Sequence, residues 1–452
     1  MKGTVKKIIK EDNFLSLAGN LSISAFGFAG FALLARSFPT EQFGQYVLFV
    51  SSGTFIEMFR FGITNTAIIR YLSGADVSDR LKYMGSNGLI GLIATIFIAV
   101  ILSVCGFLFA EPIKHAGYEL FFAWYPILAF LTLPFNTALV ILQADRKWGK
   151  ILLLRIINSG GFFIVLAANF FFLKMTLLQL ILAMLAVNAI ASLVCMVLRW
   201  DGLRYIPKVT KQTNRTLLDF GKYTTFTLIG TNLLRSADTL IISLSPLGPA
   251  AVALYSIPLK LTEFQMIPLR SFAATAFPKM SKASMQGKIE DLKSFFYNYS
   301  GALTYLFFAM SLFSFVFADF FVLILGGPQY MGTDPVTGFN TANIVRVFSI
   351  YGLLLPIDRM TGVGLDSINK PDKNMIKVGF MVVSNVIGDL VAVFIFKSLI
   401  AVAIASVLFT IVGVFIGFYF LDRELHLSHT KIFSSGIDFY KELYKKTVKH
   451  IS

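Results

Sequence analysis

Long apolar stretches alternate with short polar segments along almost the whole chain. Each stretch reaches the roughly 20 residues that a helix needs to cross the hydrocarbon core of a bilayer. The pattern predicts twelve membrane-spanning helices, at 14–35, 43–70, 85–109, 118–142, 151–173, 175–198, 219–243, 249–278, 296–318, 341–365, 375–396 and 398–421. The first stretch follows a basic start but is too long for a signal-peptide core, so we expect it to be retained.

Composition supports a membrane protein. The 452 residues are 56% hydrophobic and only 14% charged, and the mean hydropathy is +0.72. A soluble domain of this size rarely carries so much apolar sequence. The sequence therefore predicts an all-α polytopic membrane protein.

The basic residues are concentrated on one side of the predicted membrane. When loops are assigned alternately to the two sides, one side collects 29 of the 40 Lys and Arg residues, in the N-terminus and in 70–82, 146–150, 199–222, 279–293, 370–377 and 423–449. Lys and Arg accumulate on the cytoplasmic side, so both termini are predicted to be cytoplasmic. The net charge of +15 then reflects topology and attraction to anionic lipid headgroups, and it requires no nucleic-acid partner.

The longest basic connection divides the chain into two sets of six helices. We expect an N-terminal six-helix bundle at 1–198, a basic cytoplasmic linker at 199–218, a C-terminal six-helix bundle at 219–421 and a basic amphipathic tail at 422–452. Aligning Tyr46 with Tyr255 places Phe55 on Phe264 and indicates a parallel repeat of the two halves. In the tail, apolar residues recur at steps of three and four, which predicts a helix lying on the inner leaflet; a partner-binding helix is the alternative.

The sequence argues against enzymatic and redox chemistry. No loop is long enough for a soluble catalytic or ATP-binding domain, and no P-loop motif occurs. Cys105 and Cys195 lie inside apolar stretches, while the four His residues lie in predicted loops or the tail. We therefore expect no catalytic residue, no metal site and no cofactor.

Several charged residues fall at predicted membrane depth, where a charge is costly unless it is paired or lines a polar path. Basic side chains outnumber carboxylates among them, which predicts a cavity that favours an anion. The candidate substrate-binding residues are Arg60, Arg235, Lys260, Arg270 and Arg359, and the candidate carboxylates for proton or sodium coupling are Glu57, Glu263, Asp389, Asp358 and Asp238. The alternative is a set of ion pairs that only hold helices in register: Glu57 with Arg60, Arg235 with Asp238, and Lys260 with Glu263. Arg155 and Arg346, near helix ends, are expected to snorkel to the interface.

Prolines give a mechanical indication. Six of them lie inside predicted helices 4, 8 and 10: Pro126, Pro134, Pro258, Pro268, Pro278 and Pro356. We expect each to interrupt backbone hydrogen bonding and so to allow its helix to bend.

Short motifs spread over almost the whole chain resemble those of one family, the polysaccharide biosynthesis or O-antigen (Wzx-type) flippases. The resemblance lies in Ala35–Tyr46, Gly62, Ile69–Tyr71, Leu142–Lys147, Ala253–Tyr255, Phe277–Ser281 and Leu325–Tyr330. It implies membership of the multidrug/oligosaccharidyl-lipid/polysaccharide (MOP) exporter superfamily, with a MATE-like fold of two six-helix bundles that works by alternating access.

The resemblance also implies a function. It is the movement of an undecaprenyl-pyrophosphate-linked oligosaccharide from the inner to the outer leaflet of the bacterial inner membrane, with coupling to protons or sodium. Excess Arg and Lys suit a pyrophosphate, because they offer charge-assisted hydrogen bonds. We expect a monomer that contacts membrane lipids and is able to assemble with a polysaccharide polymerase or chain-length proteins.

Two other functions compete with this one. A MATE-like, ion-coupled multidrug antiporter would share the topology, but its cationic substrates favour an acidic cavity. A membrane-embedded glycan polymerase or glycosyltransferase would be expected to carry carboxylates and His in sizeable outer loops. The predicted outer loops are short and hold only scattered acids, such as Glu111, Glu119 and Asp334.

Overall fold

The computed structural model describes residues 12–74, 76–145, 147–219, 237–333 and 338–451. Within these ranges the chain is almost entirely helical, and its only bridge between extended residues joins Thr333 to Asn340. The all-α prediction is confirmed. The chain forms two compact units, Met1–Asn232 with Gly248–Ala253, and Leu233–Leu247 with Leu254–Ser452; we call them the N-terminal and C-terminal units.

The N-terminal unit contains six long helices. They are α1 (Asp12–Ser37), α2 (Thr40–Gly74), α3 (Val77–Leu108), α4 (Glu119–Ala144), α5 (Trp148–Leu173) and α6 (Leu177–Val197). Short helical segments follow at Ala110–His115 and at Leu203–Lys208, and residues 211–219 are also helical.

In the C-terminal half, residues 237–243 are helical and form α7, the described part of predicted helix 7. The long helices that follow are α8 (Gly248–Met285), α9 (Ile289–Val316), α10 (Thr341–Ser367), α11 (Pro371–Ile395), α12 (Leu399–Leu425) and α13 (His429–Ile451). Short segments at Ala318–Leu325 and Pro328–Tyr330 lie between α9 and α10.

Eight of the described helices are long and apolar enough to cross a membrane: α3, α4, α5, α6, α9, α10, α11 and α12. Helices α1, α2 and α8 are also long, with 26, 35 and 38 residues. The protein is thus a multi-pass membrane protein, while the number of twelve spans and the cytoplasmic termini stay predictions.

Local sequence explains where several helices begin and end. Helix α6 starts at a capping box in which the Thr176 hydroxyl accepts from the Gln179 amide and the Gln179 side chain accepts from the Thr176 amide. Asn340 and Ser398 are the N-cap residues of α10 and α12, and their side chains accept from the backbone amides of Asn343 and Ala401. Lys174, Lys397 and His426 adopt the left-handed conformation that stops a helix.

The prolines lie inside continuous helices. Helix α4 contains Pro126 and Pro134, α8 contains three prolines, and α10 contains Pro356. Each proline lacks one amide donor, but the helices continue through these positions without a break in the assigned helix. Neighbouring helices in a bundle stabilise such interruptions.

The linker after α6 folds onto the N-terminal unit. Residues 203–208 pack across α3, where a Cβ at Gly88 would come within 2.9 Å of the Leu203 side chain. The Ser86 and Thr213 hydroxyls lie 2.7 Å apart. The absence of a side chain at Gly85 lets the Tyr205 backbone carbonyl approach α3 directly.

Helix α13 packs along α9 in the C-terminal unit. Gly436 lies backbone to backbone against Gly301, the Tyr440 hydroxyl donates to the Ala302 carbonyl at 2.9 Å, and Ile432 is buried in the core of this unit. Phe433 and Ile437 are 49% and 44% exposed. The amphipathic helix predicted from the tail is therefore present, with one face packed on protein and an apolar face left exposed.

Candidate functional site

A buried ion pair organises the polar interior of the N-terminal unit. Arg60 of α2 is fully buried, and its guanidinium is ion-paired to Glu57 one turn earlier. The remaining donors reach α3 and α4, with Nη2 bonded to the Thr95 hydroxyl at 2.8 Å and Nη1 to the Thr132 hydroxyl at 3.2 Å. Nη2 also donates to the Ala129 carbonyl. Three helices are thereby joined through one side chain.

Glu57 is held by donors from α4. Its Oε1 accepts from the Tyr125 hydroxyl at 2.9 Å, and its Oε2 accepts from the Asn136 amide at 3.0 Å. Its Oε1 also accepts from Arg60, so both carboxylate oxygens are hydrogen-bonded. We call Glu57, Arg60, Thr95, Tyr125, Thr132 and Asn136 the N-terminal cluster. It carries its own positive charge, so it is internally neutralised.

The C-terminal unit holds a second cluster with a different charge balance. Asp238 of α7 accepts at Oδ2 from the Tyr255 hydroxyl at 2.6 Å and from the Ser406 hydroxyl at 3.1 Å. The Asn385 amide of α11 donates to Asp238 Oδ1 at 3.2 Å and to Asp389 Oδ2 at 3.1 Å. All five side chains are buried: Asp238, Tyr255, Asn385, Asp389 and Ser406. We call them the C-terminal cluster.

Two carboxylates lie in this cluster without a basic side chain bonded to either in the part of the chain that the structure describes. Two buried like charges this close cannot both be ionised without compensation. Asp389 Oδ1 and Asn385 Oδ1 are also buried, and neither has a hydrogen-bond partner among the described residues. The cluster therefore holds two buried oxygen acceptors beside two carboxylates.

A third buried pair joins α10 to α11. Lys377 donates from Nζ to the Asp358 backbone carbonyl at 2.7 Å and is ion-paired to Asp358 Oδ1 at 2.8 Å. Only 3% of Lys377 is exposed. The sequence counted Lys377 among the basic residues of the cytoplasmic side, although it lies inside the helix predicted at 375–396. The pairing with Asp358 is what the sequence did not predict.

The other predicted site residues are more exposed. Lys260 is ion-paired to Glu263 at 2.7 Å, and 64% of the Glu263 side chain is exposed. Arg270 and Arg359 are exposed on α8 and α10. Arg235 lies outside the described residues. The structure thus contains the predicted Glu57–Arg60 and Lys260–Glu263 pairs, and it brings Asp238 together with Asp389. Whether any of these residues contacts substrate or ion stays a prediction.

Sequence reasoning missed the neutral members of both clusters. Tyr125 and Asn136 lie in an apolar helix, and nothing in the sequence marks them as partners of Glu57. One signal was available in the C-terminal unit, because Asn385 and Asp389 are four residues apart and share one face of a helix. Among the described residues, no group of three His, Cys, Asp or Glu side chains could hold a metal ion.

The described helices form a polytopic membrane fold that is similar to the folds of solved transporters of the MOP superfamily. A multidrug resistance MATE family transporter in its inward-facing conformation is similar, with a TM-score of 0.72 and 16% identity over 90% of this chain and 98% of the other. A MOP superfamily transporter from Pyrococcus furiosus gives a TM-score of 0.61 at 16% identity, covering 91% and 94%. The lipid II flippase MurJ, inward closed, gives 0.68 at 14% identity, covering 96% and 92%.

The family of the chain follows from its sequence. Residues 9–284 match the model of the family described as "Polysaccharide biosynthesis protein". This match covers more than half of the chain, so the chain belongs to that family, as the motif resemblance predicted. No curated protein matches the chain significantly.

Proposed function

We propose that this protein is a flippase. In this proposal it moves an undecaprenyl-pyrophosphate-linked oligosaccharide, an O-antigen or other surface polysaccharide unit, from the inner to the outer leaflet of the bacterial inner membrane. The observation that carries the proposal is the match of residues 9–284 to the polysaccharide biosynthesis family in a chain with eight membrane-spanning helices among its described residues. Alternating access is the mechanism that this fold supports, and the protein acts as a transporter rather than an enzyme.

We assign ion coupling to the C-terminal cluster. Its free acceptors are a carboxylate oxygen of Asp389 and the amide oxygen of Asn385. Hard cations prefer oxygen ligands of this kind. An amide oxygen does not take up a proton near neutral pH but does ligate a metal cation, so the donor set fits Na⁺ better than H⁺. Bound Na⁺ would supply the positive charge that offsets Asp238 and Asp389.

The N-terminal cluster is less suited to ion coupling. Arg60 already provides the positive charge beside Glu57, and all three of its guanidinium nitrogens donate to groups within the same unit. The cationic contact with pyrophosphate is accordingly assigned first to Arg270 and Arg359, which are exposed. Lys260, which lies beside the exposed carboxylate of Glu263, is a further candidate.

Transport in proteoliposomes tests the flippase proposal. The substrate is a fluorescent undecaprenyl-pyrophosphate oligosaccharide, and an impermeant quencher reports its movement between leaflets. Wild type is expected to move it faster with a Na⁺ gradient than with a K⁺ gradient, and Asp389→Asn is expected to lose that difference. Arg270→Ala and Arg359→Ala are expected to slow transport, with Lys114→Ala as the control, since it removes one positive charge from an exposed position in the Ala110–His115 segment.

The multidrug antiporter is the second candidate, because the MATE transporter covers 90% of this chain at a TM-score of 0.72. The same vesicles distinguish the two functions when they are loaded with a cationic dye. Dye extrusion without movement of the lipid-linked oligosaccharide would replace the flippase proposal with the antiporter.

A further inference from the structure

The first residues of α8 pack within the N-terminal unit. Helix α8 spans Gly248–Met285, yet only Gly248–Ala253 belongs to that unit, while the residues on either side of this segment belong to the C-terminal unit. We call Gly248–Ala253 the α8 tip. Four of its six residues are buried: Pro249, Ala251, Val252 and Ala253. One continuous helix thus contributes to both units.

Two buried glycines form the seat of the α8 tip. A side chain at Gly44 of α2 would collide with the backbone carbonyl of Pro249, and a side chain at Gly117, before α4, would collide with the Pro249 ring. Gly117 also has a φ of +75°, which residues with a side chain rarely adopt. The close approach of Pro249 therefore requires glycine at both positions of the seat.

The connections that meet at this seat lie on the same predicted side of the membrane. Gly44 is in the first turns of α2, Gly117 lies between α3 and α4, and Pro249 follows the turn between α7 and α8. The alternating assignment of loops places these three connections opposite the side that collects the basic residues. The seat is therefore predicted to face away from the cytoplasm, where a water-soluble reagent can reach it.

An interrupted turn of α8 follows the tip. Pro258 has no amide hydrogen, so the Leu254 carbonyl lacks the donor that a regular helix would supply. Leu254 is also the first residue of α8 that belongs to the C-terminal unit after the tip. The turn at which α8 bends most easily on this side is thus the turn that divides the two units.

Tyr255 ties this turn to the C-terminal cluster. Its hydroxyl donates to Asp238 Oδ2 at 2.6 Å, and its ring packs edge-on against Phe348 with 5.5 Å between the centroids. A hydrogen bond to a carboxylate is among the stronger ones. Pro249 and Tyr255 are six residues apart, or about 9 Å along a helix. A bend between Leu254 and Pro258 would have to displace Tyr255 from Asp238.

We propose that the α8 tip is a latch. It leaves its seat on Gly44 and Gly117 when α8 bends between Leu254 and Pro258, and the hydrogen bond from Tyr255 to Asp238 restrains that bend. The inference rests on the alternating access of the proposed function, because such a transporter passes through a second arrangement of its helices. The C-terminal cluster thereby acts on the N-terminal unit through less than two turns of α8.

Cysteine labelling in nanodiscs tests the latch. The reporter is Ala251→Cys in a Cys105→Ala/Cys195→Ala background, and a water-soluble maleimide measures its labelling rate. Ala276→Cys is the control reporter, because Ala251 and Ala276 are both 0% exposed on α8 but Ala276 lies in the core of the C-terminal unit. Tyr255→Phe removes only the hydroxyl. It is expected to raise labelling of Ala251→Cys about tenfold and to leave Ala276→Cys unchanged.

Tyr440→Phe is the matched control variant. It removes a hydroxyl that donates to the Ala302 carbonyl of α9 at 2.9 Å, and it is expected to leave both reporters unchanged. Equal labelling of Ala251→Cys in Tyr255→Phe and Tyr440→Phe would overturn the proposal. A rise at both reporters in Tyr255→Phe would show general loosening of α8 and would overturn it as well.

The seat provides a second arm. Gly44→Ala places a methyl group against the Pro249 carbonyl and is expected to raise labelling of Ala251→Cys. Gly27→Ala on α1 is its control, because a Cβ there meets nothing within 4 Å. Equal labelling in the two variants would show that the tip does not depend on this seat.

A tether separates failure of the latch from failure of the flippase. The Gln45 side chain lies beside Gly117, so Gln45→Cys/Ala250→Cys in the cysteine-free background is joined by a short crosslinker that contains a disulfide. The tether is expected to slow transport, and reduction to restore it, with treated Gln45→Cys alone as the control. Unchanged transport with the tether in place would overturn the latch and keep the flippase. Selective labelling in a protein that moves no lipid-linked oligosaccharide would keep the latch and overturn the flippase.

Discussion

Arg60 and Glu57 form an ion pair within one turn of α2, and Arg60 is fully buried. In the C-terminal unit, Asp238 and Asp389 are bridged by Asn385 without a bonded basic side chain among the described residues. The carboxylate of Glu57 thus has a cationic partner within the chain, whereas we propose that an exchangeable Na⁺ serves Asp238 and Asp389. This difference motivates the first two predictions.

Removal of the Arg60 charge is expected to destabilise the protein strongly. Breaking a buried ion pair leaves an uncompensated charge, at a cost of about 3–5 kcal/mol. Arg60→Met should therefore lower the Tm in detergent, whereas the double variant Glu57→Gln/Arg60→Met should recover part of the loss because no charge remains buried. A double variant less stable than Arg60→Met would contradict this account. A protein that tolerates Arg60→Met but loses transport would instead favour a direct role of Arg60 in binding substrate.

Sodium is expected to stabilise the wild-type protein. A ligand that binds only the folded state at ten times its Kd contributes about 1.4 kcal/mol. The Tm should therefore rise when Na⁺ replaces K⁺ at constant ionic strength. Asp389→Asn should lose this response, while Asp372→Asn, an exposed residue in the first turn of the same helix, should keep it. The same rise in Asp389→Asn would exclude Asp389 as a ligand.

The Lys377–Asp358 pair is expected to contribute more to stability than an exposed pair in the same unit. Lys377→Met leaves the Asp358 carboxylate buried, which costs about 3 kcal/mol or more. Lys293→Met breaks the Lys293–Glu290 pair, in which 84% of the Glu290 side chain is exposed, and such a pair contributes less than about 1 kcal/mol. Thermal melts of the two variants compare them directly. Equal losses of Tm would show that Asp358 is solvated or paired differently.

The Gly301–Gly436 contact is expected to hold α13 against α9. A Cβ at Gly436 would lie 2.7 Å from the Gly301 backbone, so Gly436→Val cannot fit without separating the helices. Displaced α13 should become sensitive to limited trypsin digestion at Lys431 and Lys441. Ser434→Val places the same side chain at an exposed position of α13 and should stay protected. Equal resistance of both variants would show that other contacts, such as Tyr440 with Ala302, are sufficient.

Sequence reasoning succeeded where the signal is local and repetitive. Runs of apolar residues near Ile93 or Ile404 must be helical, because the backbone polar groups of a membrane-spanning segment have to bond within the segment. The same reasoning located charged residues within the apolar stretches. It identified Asp238 and Asp389 as candidates but did not predict that they lie in one cluster. It counted Lys377 with the basic residues of the cytoplasmic side and did not predict its pairing with Asp358, because no local pattern links a lysine on one helix to a carboxylate on another.

The sequence by itself determined a helical membrane protein, the approximate extent of most described helices and the family to which it belongs. Only the tertiary structure decided which charges meet. Tyr125 reaches Glu57 across 68 positions and Ser406 reaches Asp238 across 168, and no local pattern encodes such distances. Periodicity predicts a helix and its faces, whereas packing selects the partner of each face.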